Sequence, residues 1–384
     1  MARSSRLSPV SIKRFFARLP EPRRRRTRVA HPLINLVVMA LCGVIAGADS
    51  WEEISRFARV RREWFARLLD LRRGVPSPDT FGRVFAALNP VAFQKCLLAW
   101  VTAVHETTQG QIIAIDGKAA REAMARSTDK GPLCLVSAWA TANHVVLGQV
   151  AGPAGSNELG ALPKLLELLE LHGAIVTLDA LGCQKEIVRQ IVQQGGDYVI
   201  SVKGNQDKLE DAVHEAFAEA FDGNEDVKTR ETHEQGHGRT ETRLYTVIKV
   251  PETFAEKEKW EGLKSLAMVT REYQDTNGKT HSGVRYYISS LPVRRAKTIA
   301  KAIRGHWSIE NQLHWAMDVA FGEDTNRSRQ AHSQANLGML RRTALSLLKT
   351  AEGLDGSVNC RRKQAGWNET ILENVLFGRK TEQD

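Results

Sequence analysis

Residues 174–203 read AIVTLDALGCQKEIVRQIVQQGGDYVISVK, and this stretch decides the fold class. Residues 174–178 and 198–202 are apolar runs of the kind found in strands that are buried on both faces. Between them, residues 184–193 have the spacing of apolar side chains that is typical of a helix. A strand, a helix and a second strand predict two parallel strands joined by a helical crossover.

Shorter strand-like runs and one further helix precede this unit. The runs cover residues 111–116, 133–141 and 145–150, and the last two are joined through Asn143 as a predicted hairpin. Residues 159–172 have the helical period. Three strands, a helix, a strand, a helix and a strand predict a mixed α/β core, in which an antiparallel trio is extended by parallel strands. This is the order of a ribonuclease H-like sheet.

The chain changes character again after residue 203. The elements predicted there are a helix over 206–221, a β-rich insertion over about 222–292, a long helix over 296–321, another helix over 334–349 and a polar C-terminal tail over 351–384. Inside the insertion, Asn277-Gly278 is a strong hairpin signal because both residues tolerate a positive φ.

The first 107 residues predict a helical region behind a basic arm. Residues 1–30 are basic and contain Pro20 and Pro22, so we expect a mobile arm there. Residues 31–107 carry helical periods, and Ser77 is placed to cap a helix that Pro78 begins. The predicted organisation is therefore an arm over 1–30, a helical domain over 31–107 and an α/β domain over 108–350.

The positive charge of the chain is concentrated at its beginning. The net charge is +10, yet residues 1–75 alone carry 17 Lys/Arg and six Asp/Glu, so the remaining 309 residues sum to −1. Such a block favours a phosphate-rich partner, with Arg23, Arg24, Arg25 and Arg26 as contact candidates. A solvated basic tail is the alternative. An anionic membrane is disfavoured, since no amphipathic helix follows the four arginines.

Composition also argues against several other classes of protein. The five cysteines are scattered without a Cys-x-x-Cys pair, which disfavours a disulfide framework or a cysteine zinc site and fits a reducing cytoplasm. The chain begins polar and basic, unlike a signal peptide. The longest apolar run, residues 33–48, contains Asn35 and is too short to cross a bilayer.

Candidate metal ligands stand at the ends of two predicted strands. Asp116 and Asp179 each close an apolar run, and strand ends that are neighbours in a sheet would bring the two carboxylates together. Mg²⁺ prefers oxygen ligands, and two ions about 3.5–4 Å apart can catalyse phosphoryl displacement. A third carboxylate must come from elsewhere. In the long helix His306, Glu310 and His314 share one face, although a packed structural helix explains the same pattern.

Two other motifs are false leads. His233-Glu234-Gln235-Gly236-His237 matches the His-Glu-x-x-His zinc pattern, but glycines at 236 and 238 disfavour the helix that this chemistry needs. Gly117-Lys118 lacks the remainder of a phosphate-binding P-loop, so no ATP requirement is implied.

Several motifs in order resemble one family. Residues 304–315, RGHWSIENQLHW, with Asp318-Val319 and with FGED at 321–324, resemble the glutamate signature of the H-repeat-associated insertion-sequence transposases, the ISAs group. Asp116-Gly117-Lys118 resembles the first-aspartate motif of that family, and Leu178-Asp179-Ala180 resembles the second. Further matches lie at 77–83, 198–199, 203–206, 237–239 and 286–291, so the resemblance covers about residues 30–350.

The resemblance implies a function. By it, Asp116, Asp179 and Glu310 hold two catalytic ions, Mg²⁺ or Mn²⁺, on a ribonuclease H-like catalytic domain, while residues 31–107 bind DNA. It implies hydrolytic cleavage at element ends and then attack of the freed 3′ hydroxyl on target DNA. It also implies a homodimer on DNA, no small-molecule cofactor, no membrane, and action at the nucleoid in the bacterial cytoplasm.

Further DNA contacts follow from the same motifs. Besides the four arginines of the arm, the expected contact residues are Lys118, Lys203, Asn205, Arg239, Arg304, His306 and Trp307. One departure stands out, because broader relatives have Tyr, Arg and Lys around the glutamate where this chain has Ile303, His306 and Met317. Two alternatives stay open: an inactive or domesticated DNA-binding relative, and a metal-dependent nuclease that does not rejoin strands.

Overall fold

The computed structural model describes residues 9–23, 29–104, 111–120, 133–152, 158–223, 227–236, 239–275, 278–325 and 331–378. The helices are α1 (Pro9–Phe16), α2 (Leu33–Ile45), α3 (Trp51–Val60), α4 (Arg62–Ala66), α5 (Pro78–Ala87), α6 (Pro90–Val104), α7 (Leu162–Leu166), α8 (Lys185–Gln193), α9 (Asp207–Asp222), α10 (Ala296–Ser308), α11 (Trp315–Val319), α12 (Ala331–Thr350), α13 (Val358–Trp367) and α14 (Glu369–Phe377). The strands are β1 (Ile112–Ala120), β2 (Leu133–Ala140), β3 (Val145–Ala151), β4 (Ile175–Leu178), β5 (Asp197–Val202), β6 (Lys228–Gly236), β7 (Arg239–Lys249), β8 (Ser265–Gln274) and β9 (Thr280–Ser289).

The strands form one mixed sheet in the order β3-β2-β1-β4-β5-β9-β8-β7-β6. Strands β1, β2 and β3 are antiparallel neighbours, whereas β4 runs parallel to β1 and β5 runs parallel to β4. The predicted mixed α/β architecture, an antiparallel trio extended by parallel strands, is therefore confirmed. Every residue of β4 is buried, as its continuous apolar run predicts.

The β-rich insertion extends this sheet. Strand β9 pairs antiparallel with β5, and β8, β7 and β6 follow outward in turn. The hairpin predicted at Asn277-Gly278 joins β8 to β9, and Gly278 has φ +81°, which is the left-handed conformation that favours glycine. Asn277 itself lies outside the described residues.

Helices cover both faces of the sheet. Strand side chains alternate between the faces, so Ile113 packs with α7, α8 and α9, while Ile112 packs with α10 on the other side. Ala114, on the α10 side, joins a core that α12 shares with the N-terminal helices. This alternation places the side chains of residues 114, 116 and 118 on the side of α10.

The N-terminal and C-terminal helices close one core together. The segment predicted as a polar tail forms α13 and α14, which pack on the N-terminal helices. Trp64 Nε1 donates to Glu373 Oε1 at 2.8 Å, and the buried Arg362 donates to the carbonyl oxygen of Val44 at 3.1 Å. Polar composition concealed this packing, because the segment is attached through a buried arginine and only a few apolar side chains.

Part of the predicted arm is also folded. Residues 9–16 form α1, and Ile12 and Phe16, four positions apart on one helical face, are buried in the same core with Leu19. Residues 9–16 are thus helical and packed, and residues 1–8 and 24–28 lie outside the described part of the chain.

The long helix predicted over 296–321 is interrupted. Helix α10 passes into a π-helical segment, Ile309–His314, and then into α11. A π segment widens the helix by about one residue per turn and recurs at functional sites.

The predicted cap of α5 is present in the N-terminal region. Ser77 accepts from the Thr80 amide, and Pro78 lies in the first turn of the helix, as the sequence predicts.

Across the described ranges, no single helix is both long and apolar enough to span a membrane. The helices Pro78–Ala87 and Pro90–Val101 pass that test only as a pair, and they are bent by 99°.

Candidate functional site

The two aspartates predicted as metal ligands lie side by side. Asp116 is in β1, and Asp179 follows directly after the parallel strand β4. The two strands pair up to Ala114 and Thr177, so the aspartates occupy equivalent positions two residues further along. The sheet therefore brings both carboxylates to the edge where parallel strands end, which is where open α/β sheets bind ligands.

A third carboxylate, absent from the sequence-based candidates, joins them. Glu158 begins the short 3₁₀ turn Glu158–Gly160 that precedes α7. One oxygen from each of Asp116, Glu158 and Asp179 lies within 4.8 Å of the other two. We call these three residues the strand-end cluster. The sequence signal for Glu158 was weak, since an acidic residue at a helix start is ordinarily explained by the helix dipole.

Gly117 makes room for Glu158. A Cβ atom at residue 117 would lie 2.9 Å from Cβ and Cδ of Glu158, and closer still to Oε2. Gly117 has no positive φ, so the glycine is needed there for space rather than for backbone conformation.

The strand-end cluster concentrates negative charge. Burial raises the pKa of Asp116 to about 8, and the neighbouring charges of Glu158, Asp179 and Glu310 add to the shift. Burial and then Asp179 raise the pKa of Glu158 to about 7. Among the described residues, no lysine or arginine forms an ion pair with any of the three. The donor set consists of hard carboxylate oxygens, which suits Mg²⁺ or Mn²⁺.

Glu310 lies near this cluster but outside it. It is in the π segment, its side chain is exposed, and its charge contributes to the raised pKa of Asp116. It is not among the carboxylates whose oxygens all lie within 4.8 Å of one another. The structure thus brings the predicted third ligand toward Asp116 without placing it in the compact group.

Two histidines of the same helical run face the aspartates. His314 Nδ1 is 3.4 Å from Asp116 Oδ2, and His306 Nδ1 is 2.9 Å from the Thr177 hydroxyl oxygen. Burial lowers the pKa of His306 to about 4 and that of His314 to about 3. Both imidazoles are therefore neutral at neutral pH and supply no positive charge to the aspartates.

A second acidic group lies beside the strand-end cluster and is neutralised by the protein itself. Lys118 Nζ forms an ion pair with Asp318, lies 3.2 Å from Asp324 Oδ1 and lies 3.6 Å from Glu323 Oε2. The buried Arg342 holds Glu323 from the other side, with Nη2 3.1 Å from Oε2. These five residues, Lys118, Asp318, Glu323, Asp324 and Arg342, are called the lysine cluster below.

The lysine cluster explains the motif FGED at 321–324. Arg342, and then Lys118, hold the pKa of Glu323 at about 2 against its complete burial. Its acidic members are the natural alternatives to Glu310 as a third ligand, but their charges are already engaged by Lys118 and Arg342.

The remaining predicted DNA contacts are found in different settings. Asn205 donates to the carbonyl oxygen of Ala180 at 2.7 Å, next to Asp179, and Lys203 is exposed just before it. Arg23 is paired with Glu21 at 2.5 Å. Arg24, Arg25 and Arg26 lie outside the described residues, and Arg239 begins β7.

Arg304 and Trp307 border a cavity of about 300 Å³ between α10 and the outer strands. Its lining is basic and aromatic, and includes Arg271, Tyr273, Arg285 and Tyr287. The guanidinium of Arg285 lies 4.9 Å from the Trp307 ring centroid. Arginine and aromatic faces side by side are suited to phosphates and nucleobases.

The zinc-like motif has a structural role. His233 and Glu234 are consecutive residues of strand β6, so their side chains point to opposite faces rather than along one helix. Glu234 accepts from Arg304 Nε at 2.8 Å and from Nη2 at 2.7 Å, and these bonds lower its pKa to about 2. The Glu234–Arg304 ion pair therefore links β6 to α10. His237, the last residue of the motif, lies outside the described residues.

Comparison with known proteins finds two family matches and relatives that cover most of the chain. The family described as "Transposase DDE domain" matches residues 107–347, and one described as "DDE_Tnp_1-associated" matches residues 13–101. "Putative transposase YncI" of Escherichia coli O157:H7 is 40% identical over 373 residues, covering 96% of this chain and 95% of that protein. "H repeat-associated putative transposase YhhI" of Escherichia coli (strain K12) is 33% identical over 359 residues, 92% and 95% of the two chains.

Proposed function

The chain belongs to the DDE transposase family, and from that premise we propose that it cuts the ends of an insertion sequence and joins them to target DNA. The observation that carries the proposal is the close approach of the Asp116 and Asp179 carboxylates, which lie two residues beyond the last parallel pair of β1 and β4, Ala114 and Thr177. Neither carboxylate forms an ion pair with a lysine or arginine among the described residues, so a divalent cation would satisfy their charge.

We infer that Asp116, Asp179 and Glu310 are the catalytic carboxylates, with Mg²⁺ or Mn²⁺ as the cofactor. When bound, two such ions would activate water or a 3′ hydroxyl and stabilise the leaving oxygen of a phosphodiester. Asp116 lies within β1, and Asp179, directly after β4, accepts from the Gly182 amide at 3.2 Å. Glu310 is exposed on the π segment, and its charge adds to the raised pKa of Asp116.

The same premise supports a ribonuclease H-like core for the catalytic domain, residues 108–350. The antiparallel trio followed by two parallel strands has the order expected of that fold. We assign the helices within residues 31–107 to a DNA-binding domain, which packs against α12 and the C-terminal helices. Two DNA ends must meet in one reaction, so a homodimer on DNA, acting in the bacterial cytoplasm, is the assembly that we propose.

Nuclease and strand-transfer assays test this function. The full-length protein with Mg²⁺ should cut and join DNA that carries the inverted repeats flanking its own gene. Asp116→Asn, Asp179→Asn and Glu310→Gln should each lower the cleavage rate at least about 100-fold, because each removes an electrostatic contribution to the transition state. Glu219→Gln, an exposed residue of α9, is the matched control.

The outcomes separate the alternatives. A near wild-type rate for one of the three variants removes that residue from the catalytic set. Cleavage without joining would identify a metal-dependent nuclease. No cleavage by the wild type, with intact binding of the element ends, would identify an inactive DNA-binding relative and would contradict the proposal.

DNA binding by the basic segment has its own test. Changing Arg23, Arg24, Arg25 and Arg26 to glutamine should reduce the dependence of log affinity on log salt by about three to four units. Each phosphate contact releases condensed counterion, at about 0.9 units per contact. Binding of both proteins to an unrelated duplex across a salt series measures the slope, and an unchanged slope would favour a solvated tail.

A further inference from the structure

The three oxygens of the strand-end cluster are close enough to share one ion. Asp116, Glu158 and Asp179 each offer an oxygen within 4.8 Å of the other two. Two ligands of one Mg²⁺, each at about 2.1 Å, lie at most about 4.2 Å apart. Only one pair among three ligands can lie opposite each other, and adjacent ligands of an octahedral ion are about 3.0 Å apart, so the oxygens must draw together by at most about 1.8 Å for a single ion to bind all three residues.

The strand that carries Asp116 is shaped to admit Glu158. Gly117 follows Asp116, and its missing side chain leaves the space that the Glu158 carboxylate occupies. Because Gly117 has no positive φ, steric room is the reason for a glycine at this position. Glu158 is only 9% exposed although it is an acid, so its position is fixed by packing rather than by solvent.

Among the described residues, no lysine or arginine forms an ion pair with this carboxylate. The nearest basic side chain along β1, Lys118, is bound into the lysine cluster instead. His314 approaches Asp116, with Nδ1 3.4 Å from Oδ2. A buried carboxylate without a cationic partner is costly, and an ion brought from outside removes that cost.

We propose that Glu158 is a ligand of the divalent ion that Asp116 and Asp179 bind, so that the site has four carboxylates when Glu310 is included. This assignment rests on the proposed function only in requiring that the site takes divalent ions. In it, Glu158 and the aspartates form the fixed part of the site, and Glu310, on the π segment, completes it from the exposed side.

Calorimetric titration of the full-length protein with Mn²⁺ alone tests the assignment. Glu158→Gln keeps the size of the side chain and should raise the Kd for Mn²⁺ at least about 10-fold, as loss of site-supporting groups does in other metal proteins. Glu167→Gln, an exposed residue just beyond α7, is the matched control and should leave the Kd unchanged.

A second variant addresses the same point with Glu158 intact. Gly117→Ala should displace the Glu158 carboxylate and also raise the Kd for Mn²⁺. Near-UV circular dichroism shows whether each variant folds, so Gly117→Ala keeps the test valid if Glu158→Gln does not fold. A Kd within twofold of wild type in both folded variants would overturn the proposal, as would a wild type that binds no Mn²⁺. If the wild type binds Mn²⁺ through Glu158 but cleaves no DNA, the ligand assignment stands and the proposed function fails.

Discussion

The strand-end cluster and the lysine cluster each include one residue of β1, and these two residues are two positions apart. The clusters differ in the source of the positive charge that balances their carboxylates. Asp116 and Lys118 lie on the same side of β1, and each meets a group of acidic side chains. In the lysine cluster, Lys118 and Arg342 supply the positive charge from within the chain. In the strand-end cluster, no described lysine or arginine does so, and the pKa of Asp116 is raised instead of lowered.

This difference separates a structural acidic group from a candidate metal site better than acidity alone. Glu323 is buried more completely than Glu158, yet its pKa is lowered to about 2 because Arg342 is beside it. The presence or absence of an internal cation, rather than the number of carboxylates, therefore indicates which group binds a metal ion.

The largest effect is expected from removing the internal cation. Arg342→Met should lower the free energy of unfolding by about 3–5 kcal/mol, because it leaves Glu323 buried without its closest partner. Urea denaturation measures the change. Arg189→Met, which removes an exposed pair with Glu186, is the control and should cost less than about 1 kcal/mol. Equal losses in the two variants would contradict the distinction between the clusters.

Adding a cation should stabilise only the strand-end cluster. Mn²⁺ at 100 times its Kd should raise the free energy of unfolding by about 2.7 kcal/mol, since the ion binds the folded state. Asp116→Asn should abolish this gain, whereas Asp324→Asn, in the lysine cluster, should retain it. The measurement is urea denaturation with Mn²⁺ or with EDTA. If Asp324→Asn alone lost the Mn²⁺-dependent increase in stability, the ion would bind in the lysine cluster and not in the strand-end cluster.

The two clusters should also give opposite pH dependences. The folded-state pKa values of Asp116 and Glu158, about 8 and 7, exceed their ordinary values of 3.8 and 4.5. The folded state therefore holds extra protons in this window, and without metal the stability should fall as pH rises from about 4 to 8. The Glu323 contribution is present above about pH 4.5 and is lost as pH falls toward 2.

Urea midpoints across this pH range, with EDTA and with saturating Mg²⁺, measure both trends. Mg²⁺ should remove the decline toward alkaline pH, because the ion takes the place of the protons. If Asp116→Asn showed the same metal-free decline as the wild type, the strand-end cluster would not be its source.

The smallest effect is expected at the exposed edge of the lysine cluster. Asp318 is 37% exposed, and burial raises its pKa despite its bond to Lys118. Asp318→Asn should therefore change the free energy of unfolding by less than about 1 kcal/mol. A loss above about 2 kcal/mol in urea denaturation would show that Lys118 depends on all three acids rather than on Glu323 and Asp324.

The sequence predicts those features that one strand or helix decides by itself. Asp116 and Asp179 were identified because each ends an apolar run, and the parallel pairing of β4 with β5 follows from the helix between those two strands. The cap formed by Ser77 and the β8–β9 hairpin were accessible for the same reason, since short-range backbone preferences determine both.

Features that depend on distant residues were not predicted. Glu158 reaches the aspartates only because Gly117, 41 positions earlier, lacks a side chain. Lys118 meets Asp318 across 200 residues, which no local pattern indicates. Helix α1 was concealed by the basic residues around it, and the C-terminal helices were concealed by their polar composition.

The closure of the N-terminal core by the last helices has a consequence for synthesis. The ribosome releases α2 and α4 early, but Val44 of α2 and Trp64 of α4 can contact Arg362 and Glu373 only when nearly the whole chain has been made. Until then, apolar surface of the first helices stays open to proteases and chaperones. A stop codon after residue 350 would leave every candidate carboxylate encoded, but the chain would lack the two helices that close the N-terminal core, and we expect it not to fold.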